Sequence, residues 1–86
     1  EYLVISTGVD QVCLNFGTPQ QKPLPQMTVA EAERYLAEGH FKPGSMKPKV
    51  EACLQFLKRG GTLALITSPE ALPKAVRGDT GTRLVP

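Results

Sequence analysis

The sequence contains no tryptophan and one histidine, and aromatic residues make up only 6% of it. Its two cysteines are too few for the disulfide framework that holds small secreted domains together. Every apolar run is far shorter than the ~18–20 residues of a membrane-spanning helix. A net charge of +2 is too small to indicate nucleic-acid binding. These absences favour a protein of the reducing cytoplasm that binds neither membranes nor nucleic acids.

The chain is 86 residues long, which is the length of one small domain. A chain of this size buries only about 60–65% of its extended surface on folding, enough for one core but not for two lobes around a cleft. We therefore expect residues 1–86 to be a single domain or a fragment. The strand-like run at residues 2–5, which opens the chain without a leader, favours a piece of a longer protein.

Short apolar runs, partly β-branched, predict the strands of the fold, and the first of them has the composition of a buried strand. Residues 18–26 include three prolines and three glutamines, a composition that predicts an extended loop. Strands alternate with helices at spacings typical of parallel sheets, so the predicted fold class is α/β. The predicted strands are residues 2–6, 12–14, 62–67 and 81–85.

Capping residues and apolar periodicity predict three helices. Thr28 and Glu31 form a capping box at the start of the first helix, which is predicted to end near Glu38. Ser45 is the predicted N-cap of a second helix, and Ser68 that of a short third one. Apolar residues at a spacing of three and four mark the buried face of the second helix. The second helix is predicted at residues 46–59 with Val50, Cys53, Leu54 and Leu57 buried, and the third ends near Val76.

Residues 44–49 begin the second helix with a charge pattern that is unfavourable for a helix. Lys47 and Lys49 place two positive side chains where the helix dipole is already positive. A bound anion would remove this conflict, because free N–H groups, the Ser45 hydroxyl and an ammonium group would converge on it. Phosphate is the candidate anion, although the spacing is not that of a Walker A loop. The alternative is that both lysines face water.

Residues 7–10 follow the first strand, at the position where open α/β sheets bind their ligands. Asp10 is a candidate for a ribose contact or, as the residues alone favour, a turn residue that bonds nearby backbone. Phe16 is a candidate aromatic face for a planar base, or a residue that closes a hairpin onto the core. His40 and the two cysteines lack the neighbours of a metal or nucleophilic site, so we expect structural roles for them.

Several motifs follow one another in a consistent order along the chain. They are Thr-Gly-Val-Asp-Gln-Val at 7–12, Asn-Phe-Gly-Thr-Pro at 15–19, Met-Thr-Val-Ala-Glu-Ala at 27–32, the run at 38–52, Ile-Thr-Ser at 66–68 and Gly-Asp-Thr-Gly-Thr at 78–82. Together these motifs resemble the C-terminal portion of carbamate kinase, a member of the amino acid kinase superfamily. Their order and spacing make the resemblance more specific than a lone glycine pattern.

The resemblance implies a partial three-layer α/β/α sandwich of the amino acid kinase type. It implies an enzyme that reversibly transfers phosphate between ATP and carbamate, giving carbamoyl phosphate and ADP, with Mg²⁺ as cofactor. The full-length protein is then expected to be a cytoplasmic homodimer, with arginine breakdown among its pathways. Two alternatives stay open, namely a kinase of the same superfamily with another acceptor and a non-catalytic nucleotide-binding module.

The resemblance also implies roles for individual residues. Lys49 falls on the lysine that contacts the ATP phosphates and is the candidate catalytic residue. Ser45 and Met46 are expected to border the nucleotide, and no residue is assigned to a metal. Lys47 and Gln11 depart from the usual pattern of the family, which leaves their roles open. The remaining nucleotide-binding candidates, in the adenosine pocket, are Thr7, Val9 and Asp10.

The family's N-terminal glycine-rich phosphate loop and its acceptor-site residues have no counterpart in these 86 residues. We therefore predict that the isolated chain does not catalyse phosphoryl transfer, and that it exposes apolar surface where the rest of an enzyme would pack. A turnover assay of the purified chain with ATP and carbamate measures the first expectation. Robust formation of carbamoyl phosphate by the chain alone would contradict it.

Overall fold

Residues 2–15 and 17–86 are described by the computed structural model. In chain order the elements are β1 (Tyr2–Ser6), β2 (Val12–Leu14), β3 (Lys22–Leu24), β4 (Gln26–Thr28), α1 (Val29–Ala37), α2 (Met46–Lys58), β5 (Leu63–Thr67), α3 (Leu72–Val76) and β6 (Thr82–Val85). One sheet has the strand order β1-β5-β6-β4, and β2 pairs with β3 in a separate antiparallel hairpin. The predicted strands and helices are all present, so the α/β fold class is confirmed.

The sheet mixes parallel and antiparallel pairs. β1 lies parallel to β5 and β4 lies parallel to β6, as the α/β pattern predicts. The expectation of parallel pairing is wrong for β5 and β6, which are antiparallel. Ile66 near the end of β5 pairs with Thr82 at the start of β6, so the short connection through α3 begins and ends at the same end of the strands. A strand that starts where its neighbour ends must run back along it.

β3 lies within residues 18–26, where the sequence predicted only a loop, and β4 begins at the last residue of that range. Pro23 of β3 pairs with Cys13, at a strand with only one hydrogen-bonded neighbour, where proline is tolerated. β4 pairs with β6 through Met27, which lies opposite Leu84. Proline concealed β3, and β4 was concealed because its pairing depends on β6, which is distant in sequence.

The helices lie on both faces of the sheet. α1 and α2 cover the face that carries Ala64, Ile66 and Leu84, and these side chains share one apolar cluster. Leu65 points to the opposite face, where its Cδ1 and the Ala75 Cβ both border Gly81. α3 therefore covers the second face, which gives three layers. The buried hydrophobic cluster consists of Val12, Leu24, Met27, Ala32, Phe41, Val50, Cys53, Leu54, Leu57, Ala64, Ile66 and Leu84.

The helix starts agree with prediction at α1 and α2 and differ at α3. Both hydrogen bonds of the Thr28–Glu31 capping box are present. α2 starts at Met46 with Ser45 at the N-cap position, as predicted, although the Ser45 side chain makes no capping bond. α3 begins after Ala71, although the Ser68 hydroxyl still accepts a bond from the Ala71 N–H at 3.1 Å. Ser68 therefore closes the turn before the helix instead of capping the helix itself.

β1 lies at an edge of the sheet and is not the buried strand that its composition predicts. Its side chains alternate, with Leu3 and Ile5 packed on the core and Tyr2 and Val4 exposed by 70% and 49%. Leu72 and Val76 of α3 are also exposed. Exposed apolar surface is therefore present, as expected. Within the described ranges, no helix is long and apolar enough to cross a bilayer.

Gly81 is the glycine with the most demanding position, because it combines a φ of +84° with close neighbours. A Cβ there would lie 3.0 Å from the Ala75 Cβ and 3.2 Å from the Leu65 Cδ1. We predict that Gly81→Ala lowers the free energy of unfolding by about 2–3 kcal/mol through strain and crowding together. Urea denaturation of the variant measures the change.

Two other glycines separate these causes. Gly39 has a φ of +81° with open space around it, so Gly39→Ala should cost only the backbone strain of about 1–2 kcal/mol. Gly8 has open space and no positive φ, and Gly8→Ala should change stability by less than about 0.5 kcal/mol. Equal stabilities of all three variants would show that neither backbone strain nor crowding acts at Gly81 as described.

Candidate functional site

A cavity of about 330 Å³ lies where β1 ends and α2 begins. This volume is within the range of small-molecule sites. The loop after β1, the loop before α2 and the first turns of α2 form its walls. Its lining residues are Thr7, Gly8, Val9, Gln11, Cys13, His40, Phe41, Lys42, Ser45, Met46 and Lys49.

The chain brings these walls together because α2 runs back along the sheet. α2 ends at Lys58 and β5 begins at Leu63, so the helix returns the chain to the start of β5. Since β1 and β5 are parallel, the first turn of α2 lies at the edge where both strands end. The cavity therefore occupies the carboxyl edge of the strands, the place where open α/β sheets bind ligands.

Long-range hydrogen bonds hold the loop after β1 at three points. The Thr7 N–H donates to the Thr67 carbonyl at 2.8 Å. The Ser68 hydroxyl donates to Asp10 Oδ1 at 2.6 Å. The Gln11 side-chain amide donates to the Gly81 carbonyl at 3.1 Å. These bonds fix the wall of the cavity against β5 and the start of β6.

Lys49 reaches across the cavity to the end of β1. Its Nζ donates a hydrogen bond to the Thr7 hydroxyl at 2.7 Å, and the two residues are 42 positions apart in sequence. The bond is partly buried. The ammonium group is therefore held on the cavity wall and does not extend freely into solvent.

The cavity is positive. Lys42 and Lys49 line it, and no aspartate or glutamate does so among the residues that the structure describes. Its other polar groups are hydroxyl, amide and imidazole side chains, while Val9, Phe41 and Met46 supply apolar surface. Lys49, whose hydrogen-bond partner is the neutral Thr7 hydroxyl, favours an anion, and the apolar surface favours a ligand that also has a less polar part.

The backbone at the start of α2 offers fewer donors than the sequence predicts. The N–H groups of Ser45 and Lys47 both donate to the Lys42 carbonyl, at 3.1 and 3.0 Å. Pro48 has no N–H. The expectation of several free N–H groups is therefore wrong for these positions. The positive potential of the site depends instead on side chains, above all on Lys49.

The structure gathers most of the predicted site residues around one cavity. Thr7, Val9, Ser45, Met46 and Lys49 all line it.

Two further candidates, Asp10 and Lys47, lie elsewhere among the described residues. Asp10 does not line the cavity, and Ser68 holds its carboxylate. Lys47 is also not a lining residue. Phe16 lies outside the described residues.

The sequence missed several lining residues, which include Cys13, Phe41 and Lys42, and it left the role of Gln11 open. His40 also lines the cavity, while its Nε2 lies 3.0 Å from Glu38 Oε1 and its ring meets the Tyr35 ring edge-on at 5.8 Å. His40, Phe41 and Lys42 could have been found from their position in the loop that precedes α2. This loop borders the same site as the first turn of the helix.

The two cysteines occupy different environments. Cys53 is fully buried in α2, and burial raises the pKa of its thiol to about 11. Cys13 is half-buried at the cavity. Both are free thiols. The described part of the chain contains no group of three or more His, Cys, Asp or Glu side chains that could hold a metal ion.

Comparison with known proteins gives the family of the chain. The model of the amino acid kinase family matches residues 1–68. The chain is 53% identical over 85 residues to the carbamate kinase-like protein YahI of Escherichia coli K12, with coverage of 99% of this chain and 27% of that protein. It is 49% identical over 86 residues to a carbamate kinase of Thermoplasma volcanium, with coverage of 100% and 28%.

The structural comparison agrees. A carbamate kinase from Giardia lamblia bound to AMP-PNP superposes with a TM-score of 0.92 at 36% identity. The match covers 98% of this chain and 27% of that one. The chain therefore spans about a quarter of the length of the relatives it matches.

The different burial of the two thiols predicts selective labelling. At pH 8 a maleimide should modify Cys13 in the folded chain and leave Cys53 unmodified, because Cys53 is enclosed and protonated. Mass spectrometry of the digested protein identifies the labelled position. Cys13→Ser should abolish labelling until urea unfolds the chain. Equal labelling of both residues in the folded state would contradict the described packing.

Proposed function

The chain belongs to the amino acid kinase family, and from this membership we propose that it is the nucleotide-binding part of a carbamate kinase. The reaction of the whole enzyme would be the reversible transfer of phosphate between ATP and carbamate, giving carbamoyl phosphate and ADP. The relatives named carbamate kinase support this proposal, and so does the structure of the Giardia lamblia carbamate kinase bound to AMP-PNP. The acceptor-binding part of the enzyme would lie in the remaining three quarters of such a protein.

The observation that carries the proposal is the positive cavity with Lys49 on its wall. Phosphoryl transfer depends mainly on positioning the phosphates and on neutralising the charge that develops on them. A lysine whose hydrogen-bond partner is a neutral hydroxyl is available to pair with a phosphate group. The apolar surface of Val9 and Met46 is suited to the less polar face of a nucleoside.

The residues of the cavity have distinct proposed roles. Lys49 would contact the transferring phosphate, and Ser45 and Met46 would border the nucleotide. Thr7 and Val9 would form the opposite wall. A direct contact between Asp10 and the adenosine stays a prediction, since its carboxylate is bonded to Ser68 outside the cavity lining.

The residues described here do not provide a protein site for Mg²⁺. Mg²⁺ is usually held by one or two carboxylates together with substrate phosphates. No carboxylate lines the cavity among the described residues, and they contain no metal-binding cluster. We therefore derive no catalytic role for a metal from this chain.

The wider context of the enzyme stays a set of predictions. Residues 1–86 would form about a quarter of the complete enzyme. The complete enzyme would be a cytoplasmic homodimer that uses ATP and ADP, with arginine metabolism among its pathways. The two free thiols are compatible with the reducing cytoplasm.

We predict that Lys49→Ala weakens ATP and ADP binding by about tenfold or more, because a hydrogen bond to a charged group is lost. Isothermal titration calorimetry of the chain measures both affinities. Lys47→Ala is the matched control, since it removes a neighbouring charge that does not line the cavity. It should change the affinities by less than about threefold.

Adenosine provides a second comparison. Its affinity should be the same for the wild-type chain and Lys49→Ala, because it carries no phosphate. Unchanged ATP binding by Lys49→Ala, or equal losses for the Lys47 and Lys49 variants, would remove Lys49 from its proposed role. Absence of ATP and ADP binding by the wild-type chain would contradict nucleotide binding by this part alone.

A further inference from the structure

We propose that Thr7 is a positioning residue for Lys49, and that its hydroxyl holds the lysine ammonium ready for phosphate. The resemblance to carbamate kinases assigns Thr7 only to the adenosine pocket. The structure instead joins the Thr7 hydroxyl to Lys49 Nζ at 2.7 Å. The inference rests on the proposed nucleotide site and gives one of its residues a different task.

The hydroxyl is attached to a rigid part of the fold. Thr7 follows the last residue of β1, and its N–H is bonded to the Thr67 carbonyl at the end of β5. Threonine is branched at Cβ, which restricts rotation of its side chain. The position of the hydroxyl is therefore set by the sheet and not by the ligand.

Lysine benefits from such an anchor because its side chain is long. A free lysine side chain carries about 2 kcal/mol of rotamer entropy. Part of this entropy is lost when a ligand orders the side chain, and that loss weakens binding. A lysine already held by Thr7 loses less on binding a phosphate.

The chemistry of the partner matters as much as its position. Lys58 and Arg77 are paired with the carboxylates of Glu33 and Asp79. Lys49 is bonded to a neutral oxygen instead. A hydroxyl accepts a hydrogen bond without cancelling the charge, whereas a carboxylate would compete with the incoming phosphate. The Thr7 hydroxyl can therefore orient Lys49 and leave the cavity positive.

Calorimetry with two substitutions at position 7 tests the proposal. Thr7→Val keeps the shape of the side chain and removes the hydroxyl, and it should weaken ATP binding by about three- to tenfold. Thr7→Ser keeps the hydroxyl and should restore most of the affinity. In a Lys49→Met background, Thr7→Val should cause no further loss, because the two residues act as one unit.

Adenosine separates the two roles of Thr7. If Thr7 acts through Lys49, Thr7→Val leaves adenosine affinity unchanged. If Thr7 instead contacts the nucleoside, adenosine and ATP affinities fall together and the loss persists with Lys49→Met. A fall in adenosine affinity, or a loss of ATP affinity that persists with Lys49→Met, would overturn the proposal. Thr80→Val is the matched control, since Thr80 does not line the cavity.

A measurement without ligand separates this proposal from the proposed function. ¹³C relaxation of the lysine ε-methylene groups reports how ordered the Lys49 side chain is in the ligand-free chain. Thr7→Val should lower the order of Lys49 and leave that of Lys74 unchanged, while Thr7→Ser preserves it. The same order of Lys49 in wild type and Thr7→Val would refute positioning, even if the wild-type chain binds ATP. Loss of order would support it, even if no nucleotide binds.

Discussion

The parallel pairing of β1 with β5 is the constraint on which the candidate site depends. Its register places Ser6 opposite Thr67, so both strands end at the same edge of the sheet. The loop after β1 and the turn after β5 must then meet, and the bond between Asp10 and Ser68 joins them. Because α2 precedes β5 and runs opposite to it, its first turn reaches this edge as well. A shift of this register would separate Thr7 from Lys49.

Neutral hydrogen-bonding groups hold two of the side chains that line the cavity. Gln11 is bonded to the Gly81 carbonyl, and Lys49 is bonded to the Thr7 hydroxyl. The carboxylates of the described ion pairs, on Glu33, Glu38 and Asp79, do not line the cavity, although Glu38 lies beside the lining residue His40. The neutral partner of Lys49 therefore fixes its position and leaves its charge available to a ligand.

Much of the fold was accessible from local patterns. The capping box at Thr28 and the buried face of α2 were predicted correctly, because each depends on residues within two turns of one helix. β3 was missed because its segment is rich in proline, and β4 because it forms a strand only against the distant β6. The antiparallel direction of β6 relative to β5 was also missed. The connection through α3 begins and ends at the same end of these strands, so β6 runs back along β5. Phe16 lies outside the described residues, so its prediction stays open.

The sequence by itself determined the secondary structure of the helices, the family resemblance and the choice of Lys49 as the central cation. These features are carried by contiguous residues and by motif order. Only the tertiary structure decided what Lys49 contacts, which residues share its cavity and where Asp10 points. Thr7 and Lys49 are 42 positions apart, and Asp10 and Ser68 are 58 apart. Such contacts arise from the register of the sheet and the return path of α2, which no local pattern specifies.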